Sequence, residues 1–431
     1  MLLLGVICLA GSSCPQSGSG GSGGGSGNAP TIRSLSIAGQ DELFAIGQQA
    51  AWTASEALSN GTTRDGTGSV TWKSSDISVA TVSATGVVTA VAGGTAEISA
   101  SIQGMSASAT VAVEPPAWTL VGVPSVGQPD TTTHNVVVDP RDERLIYVGT
   151  QQGLYVTRDG GASWQRPLTG FAYTVRLDPS NPDRVYAVVG AGTLARSDDR
   201  GQSFVTLKTV DDILVSMAIS PRDPQTIWLA YGGFRDPNPS GVLKTTDGGA
   251  TWTRFTFGAP GALIPWDIRL DSTTGTLYAG TEIADHPLPY HPPFFTSPDG
   301  GQTWLDATGN LPWHVVSLAV DSSTHRVLAL TEGAGLYQST DFARTWTRVS
   351  SGTNATIAVD PREANRIFGG SVVSGSSSGG AFISADGGLH FTAYGLNGQT
   401  VGDLSFNGSS TRVYAASYGS GLYATSVRAP R

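Results

Sequence analysis

The sequence predicts an all-β chain, a small β-sandwich followed by a seven-bladed β-propeller closed by its own N-terminal strand, and three observations carry that reading. An eight-residue figure recurs in the C-terminal three quarters of the chain, at 157–164, 197–204, 245–252, 297–304, 339–346 and 384–391. Its central residues Asp159, Asp199, Asp247, Asp299, Asp341 and Asp386 stand 40 to 52 residues apart, the period of one small antiparallel sheet per repeat. A second figure precedes each copy, a turn such as Asp139-Pro140 or Asp178-Pro179 followed by an aliphatic-aromatic strand such as Ile146-Tyr147 or Val185-Tyr186. No long helical pattern appears, and 56 Gly and 24 Pro in 431 residues suit a turn-rich chain.

Taken in order, Met1 to Ala10 is apolar but too short to cross a bilayer as a mature helix, and it leads into Gly11-Ser12-Ser13-Cys14. Residues 1–14 therefore read as an export signal. Small residues before Cys14 and a Gly/Ser-rich stretch after it resemble a bacterial lipoprotein, which implies that the Cys14 thiol is lipidated and becomes the new N-terminus. A conventionally cleaved secretory signal and an uncleaved anchor are the alternatives, and all three routes export the protein to the cell envelope or cell surface, or into the medium. The membrane partner is expected through that lipid alone. Both cysteines, Cys8 and Cys14, lie in this leader, so the rest of the chain forms no disulfide. Residues 15–29 are a flexible tether with a reach of about 20 Å.

Residues 30–115 carry short alternating strands. Trp72 and the Val and Ile positions from Val70 to Val82, then Gly86 through Ala100, have the composition of a sandwich core with glycine turns. The stretch resembles the group 2 bacterial immunoglobulin-like domain, which implies an immunoglobulin-like β-sandwich used as a spacer or adhesion module. Glu114-Pro115-Pro116 forms a stiff joint between this stretch and the repeats.

From 117 to 431 the two figures alternate. A seventh turn and strand, Asn407-Gly408 with Val413-Tyr414, is followed by Gly421-Leu422-Tyr423 but by no seventh copy of the eight-residue figure. Residues 117–123, with Trp118, resemble the strand after such a copy and are expected to complete the last blade, which removes two free sheet edges. The six copies resemble the Asp-box, or bacterial neuraminidase repeat, of sialidases, sortilin-type receptors, two-propeller xyloglucanases and photosystem assembly factors. That resemblance implies the propeller fold and leaves function open.

Net charge is −9 and diffuse, with no Lys/Arg cluster, which argues against nucleic acid as a partner. Candidate site residues lie on the face opposite the repeated turns, where loops of uneven length emerge. Trp266 and Trp313 each follow a proline just before a first strand, and belong neither to the sandwich nor to the repeat strands. Either ring is placed to stack on a ligand or to cover the channel mouth. With His314, Arg235, Tyr290 and His291 they form the expected ligand surface. Asp236, Glu282, Asp285 and Glu332 are the acids from which a glycoside hydrolase would draw its carboxylate pair. Asp285, His286 and His291 lack the spacing of a metal site, so no metal or cofactor is expected.

A sialidase would need Phe-Arg-Ile/Leu-Pro near the propeller start. The nearest string, Phe234-Arg235-Asp236-Pro237, lies in the third blade with Asp where the aliphatic residue belongs. The xyloglucanases of this repeat family place their cleft between two propellers, and these residues make one. The sequence alone thus favours a non-catalytic, monomeric recognition protein that binds glycan or protein. Its alternatives are a secreted glycoside hydrolase and a cell-envelope assembly factor.

Overall fold

A computed structural model describes residues 29–427 apart from 127, 130–131, 191, 234–239, 259–262, 284–293, 313, 352–354 and 375–376. The leader with Cys8 and Cys14, and Arg235, Asp236, Asp285, His286, Tyr290, His291 and Trp313, lie outside the described residues. The protein is all-β: an immunoglobulin-like β-sandwich followed by a seven-bladed β-propeller closed by its N-terminal strand.

In the sandwich, Gly94–Ile102 and Met105–Val113 pair over their whole lengths, and Trp52, Trp72, Val88, Ile98 and Val111 fill the space between sheets. Each buried indole keeps a partner, Trp52 Nε1 donating to the Gln40 carbonyl at 3.0 Å and Trp72 Nε1 to the Thr67 carbonyl at 3.1 Å. Gly86 is required at its turn: it has φ of 77°, and a Cβ there would lie 2.4 Å from the Trp52 carbonyl oxygen.

Seven four-stranded antiparallel sheets follow in sequence order. The last is Thr119–Gly122, Gly421–Ser426, Arg412–Tyr418 and Thr400–Phe406, with Thr119 opposite Ala424 and Leu120 opposite Tyr423. The chain thus closes its ring with residues from both ends of the propeller. The expected aliphatic-aromatic second strands are buried, Tyr147, Tyr186, Tyr278, Phe368 and Tyr414 among them.

The repeated turns share one hydrogen-bond pattern. In the fourth blade Ser297 Oγ donates to Asp299 Oδ1 and accepts from Gly301 N, while Asp299 accepts from the Thr303 N–H and hydroxyl. The Asp159, Asp199, Asp247 and Asp341 turns repeat it, and at Asp386 the His390 ring replaces the hydroxyl. The aromatic residue after each turn packs between sheets, Trp304 edge-on to Phe257 and Trp346 edge-on to Phe294.

The innermost strands are joined by a second device. In five of the seven, a short polar residue just after the start, Asn135, Ser216, Asp267, Ser317 or Asp403, accepts the backbone N–H of Val175, Ile268, Leu318, Ile357 or Val136 in the next blade. At about 1 kcal/mol each, such links fix the axial spacing of the blades.

The extra length expected at 374–380 is a hairpin extension: Ser374 pairs with Ser377 and Val373 with Ser378, because ladder pairing satisfies this backbone as well as solvent would. The sandwich docks on the sixth blade. Phe44 meets the Tyr394 ring edge-on, and buried Arg366 contacts Glu42 at 3.1 Å, Asp360 at 3.1 Å and Glu363 at 2.7 Å.

Candidate functional site: an axial pocket

The polar link residues also define a pocket. In six inner strands the register slips at this level, immediately before Asn135, Thr174, Ser216, Asp267, Ser317 and Asp403, so a side chain skipped by the ladder turns toward the axis, as bulges commonly arrange. The skipped residues are His134, Tyr173, Val215, Trp266, Val316 and Gly402, and Ala355 takes the equivalent place in the sixth blade. All seven line one cavity of about 630 Å³ on the face opposite the repeated turns. Trp266 was expected just before its strand; it lies within Leu263–Leu270, at the bulge.

Around this ring the ends of the second strands add Glu282, Glu332 and Tyr418, and the approaches to the inner strands add Phe171 and His314. One wall is aromatic: His134 sits 4.6 Å from Phe171 and 4.7 Å from Tyr418, and Phe171 lies 4.3 Å from Tyr173, centroid to centroid. Gly402 makes this possible, since a Cβ there would lie 2.5 Å from the Tyr418 ring. The other wall is polar. Trp266 Nε1 donates to Glu282 Oε2, and His314 Nε2 contacts Glu332 Oε2 at 2.7 Å. Glu332 is the more open carboxylate, with 68% of its side chain exposed.

Below the mouth the channel is charged. Asp403 accepts from Asn135 Nδ2 at 2.7 Å and from Val136 N at 2.9 Å, yet burial pushes its carboxyl up. Asp267 pairs with Arg269 at 3.1 Å. Burial, and then the neighbouring Arg269 charge, bring Arg176 down to about 10. Tyr418 is raised by burial and then by the Asp403 charge.

The structure therefore brings Trp266, Glu282, His314 and Glu332 together, four residues the sequence singled out for different reasons. His134, Phe171, Tyr173 and Tyr418 were missed. Aligning the blades on Asn135, Thr174, Ser216, Asp267, Ser317, Thr356 and Asp403 would have found His134 and Tyr173, because the residue before that polar position lines the axial cavity in every blade. Among the described residues no three His, Cys, Asp or Glu side chains converge to hold a metal ion.

Residues 41–113 match the family model for the bacterial Ig-like domain (group 2). The chain is 27% identical over 289 residues to a xyloglucanase of Paenibacillus sp, which spans 54% of this chain and 27% of that protein. Its fold resembles that of the GH74 enzyme of Niastella koreensis, with TM-score 0.56 at 19% identity, covering 71% of this chain and 53% of the enzyme. It also resembles YCF48 from Cyanidioschyzon merolae, with TM-score 0.54 at 14% identity, covering 72% and 98%. The chain thus spans about a quarter of the length of the curated relatives it matches. These likenesses establish the propeller fold.

Proposed function

We propose that the protein acts on a polysaccharide of the xyloglucan type, bound at the axial pocket, with Glu282 and Glu332 as the carboxylate pair. The observation that carries this is the convergence of two glutamates with Trp266 and an aromatic wall on one cavity. Aromatic rings receive the apolar faces of sugar rings, and glycoside hydrolysis asks for two carboxyl groups flanking the scissile bond. The Trp266 indole N–H fixes the Glu282 carboxylate in place, which suits it to act as base or nucleophile. Glu332, the more open of the two and 2.7 Å from His314 Nε2, is left with the role of the second carboxyl, on the leaving-group side of the bond. The names of the curated xyloglucanase relatives support the substrate class.

The finer reading places the propeller at the cell surface: repeated turns of the Asp-box kind, on an immunoglobulin-like spacer, tethered through lipidated Cys14 and acting as a monomer. The test is release of reducing sugar from soluble xyloglucan. E282Q and E332Q are each expected to lower turnover by about 10²- to 10⁴-fold while binding holds, and W266A to weaken binding about tenfold. Release at the wild-type rate by both glutamine variants would remove these roles. A second reading, recognition without turnover, draws on the fact that both glutamates already engage donors of this chain. Saturable retention with no product would favour it.

A further inference from the structure

The fifth repeated turn departs from the others. Four copies have glycine after the aspartate, Gly160, Gly248, Gly300 and Gly387, with φ between 71° and 74°. The second copy has Arg200 there at φ 61°, and its guanidinium reaches Asp139, Asp142 and Asp183 within 3.4 to 3.8 Å. Those ion pairs offset the conformational cost. The fifth copy has Phe342 at φ 63°, followed by Ala343 at φ 64° where the rest have glycine, and His325 beside them has φ 59°. A bulky residue in this region is an outlier, and a strained position that persists is a reason to ask what the side chain does.

The Phe342 ring contacts the His325 ring at 5.3 Å, and His325 is fixed by Asp271 Oδ2 at 2.7 Å from Nδ1. Phe342 also walls a groove of about 660 Å³ between the fourth and fifth blades, on the face of the repeated turns. Leu305, 54% exposed, gives the groove a second apolar surface. Thr274 and Thr296 offer hydroxyl oxygens as acceptors, their protons given to Thr276 Oγ1 and the Leu277 carbonyl, Asp306 offers the carboxylate oxygen that Thr308 does not engage, and Arg344 a guanidinium that makes no ion pair among the described residues. One positive and one negative group leave the lining near neutral, so an ionic ligand gains little. Apolar platforms flanked by hydroxyl, carboxylate and guanidinium groups suit an uncharged sugar ring, whose C–H face stacks on an arene while its hydroxyls donate and accept.

We infer that this groove is a second carbohydrate site, which holds a neutral β-glucan chain away from the axial pocket with Phe342 as its stacking platform. The inference rests on the reading that the protein engages polysaccharide. The groove and the pocket open on opposite faces of the disc, so the groove anchors the protein to polymer and leaves cleavage to the pocket.

Affinity electrophoresis of the full chain in gels containing soluble xyloglucan or mixed-linkage β-glucan tests this, beside melting temperature and turnover of a short xyloglucan oligosaccharide. F342G restores the residue of four other turns and relieves the positive φ, so it is expected to melt no lower than wild type. It is expected to weaken retention by polymer about tenfold, and F342Y to stay within about twofold of wild type. Oligosaccharide turnover should be unchanged in both. Wild-type retention in F342G, equal loss in F342Y, a lowered melting temperature accompanying the loss in F342G, or no retention of the wild-type protein would each overturn the site. Failure of the axial reading shows separately, as absence of product from oligosaccharide whatever the gels record.

Discussion

Asp299 accepts from the Ser297 and Thr303 hydroxyls and from the N–H groups of Gln302 and Thr303. Burial pushes its carboxyl up, but these donors outweigh burial and hold it at about 2. At Asp159 the Ser163 hydroxyl, then the Ser163 N–H and the Thr157 hydroxyl, reach the same value of about 2. Free aspartate titrates near 3.9, so as the pH falls the unfolded chain takes up protons first. The stability these turns contribute is whole above about pH 4 and is lost as the pH falls through about 2. The melting temperature should therefore drop between pH 4 and pH 2. D299N should melt lower at neutral pH and show a shallower acid limb. An acid limb as steep in D299N as in wild type would mean that the turn carboxylates are not what titrates.

At the scale of the strand, the polar link residues differ in what they hold. Among the described residues, Ser317 Oγ accepts the Ile357 N–H alone, at 3.3 Å. Asp267 accepts the Leu318 N–H at 2.9 Å and also neutralises Arg269 at 3.1 Å, with its own side chain almost wholly buried. Asp267 is buried while Arg269 keeps 34% of its side chain exposed, so the charge left behind is partly solvated, and D267A should cost about 2 kcal/mol against about 1 kcal/mol for S317A in urea unfolding. Equal losses would mean that the channel ion pair is solvated well enough to be dispensable.

The same strands show how far the sequence could be read. The repeated turns announce themselves because each sets Ser or Thr, Asp and an aromatic at fixed offsets, with Gly in all but the fifth, and blade number followed from the six copies plus the seventh turn and strand at Asn407-Gly408 and Val413-Tyr414. Trp266 stood out because no strand pattern accounted for it, and His314 because it follows Trp313, which no strand pattern accounted for either. His134, Tyr173 and Tyr418 did not, because an aromatic residue in a strand looks the same whether the ladder turns it into a core or a bulge turns it to the axis. A bulge is one residue of register, visible only when both partner strands are in place.

The whole molecule depends on one short pairing. Thr119–Gly122 is the outer strand of the seventh sheet, and Trp118 ahead of it donates Nε1 to the Tyr394 carbonyl at 2.5 Å, tying that strand to the sixth blade. Without it Gly421–Ser426 would present an unpaired edge, a template for another chain. The sandwich adds Phe44 and the Glu42–Arg366 contact to the sixth blade, but no strand to any propeller sheet. Closure and docking are therefore separable. A chain begun at residue 117 keeps the closing strand and loses the sandwich, and it should stay monomeric and unfold in one transition, at a temperature lowered by exposure of Tyr394. A chain begun at residue 124 loses both and should melt lower still and self-associate, as read by light scattering during a circular-dichroism melt. If the two shortened chains share one melting temperature and both stay monomeric, the ring is held by packing between neighbouring blades, and the strand contributed from the N-terminal side is ornamental to stability.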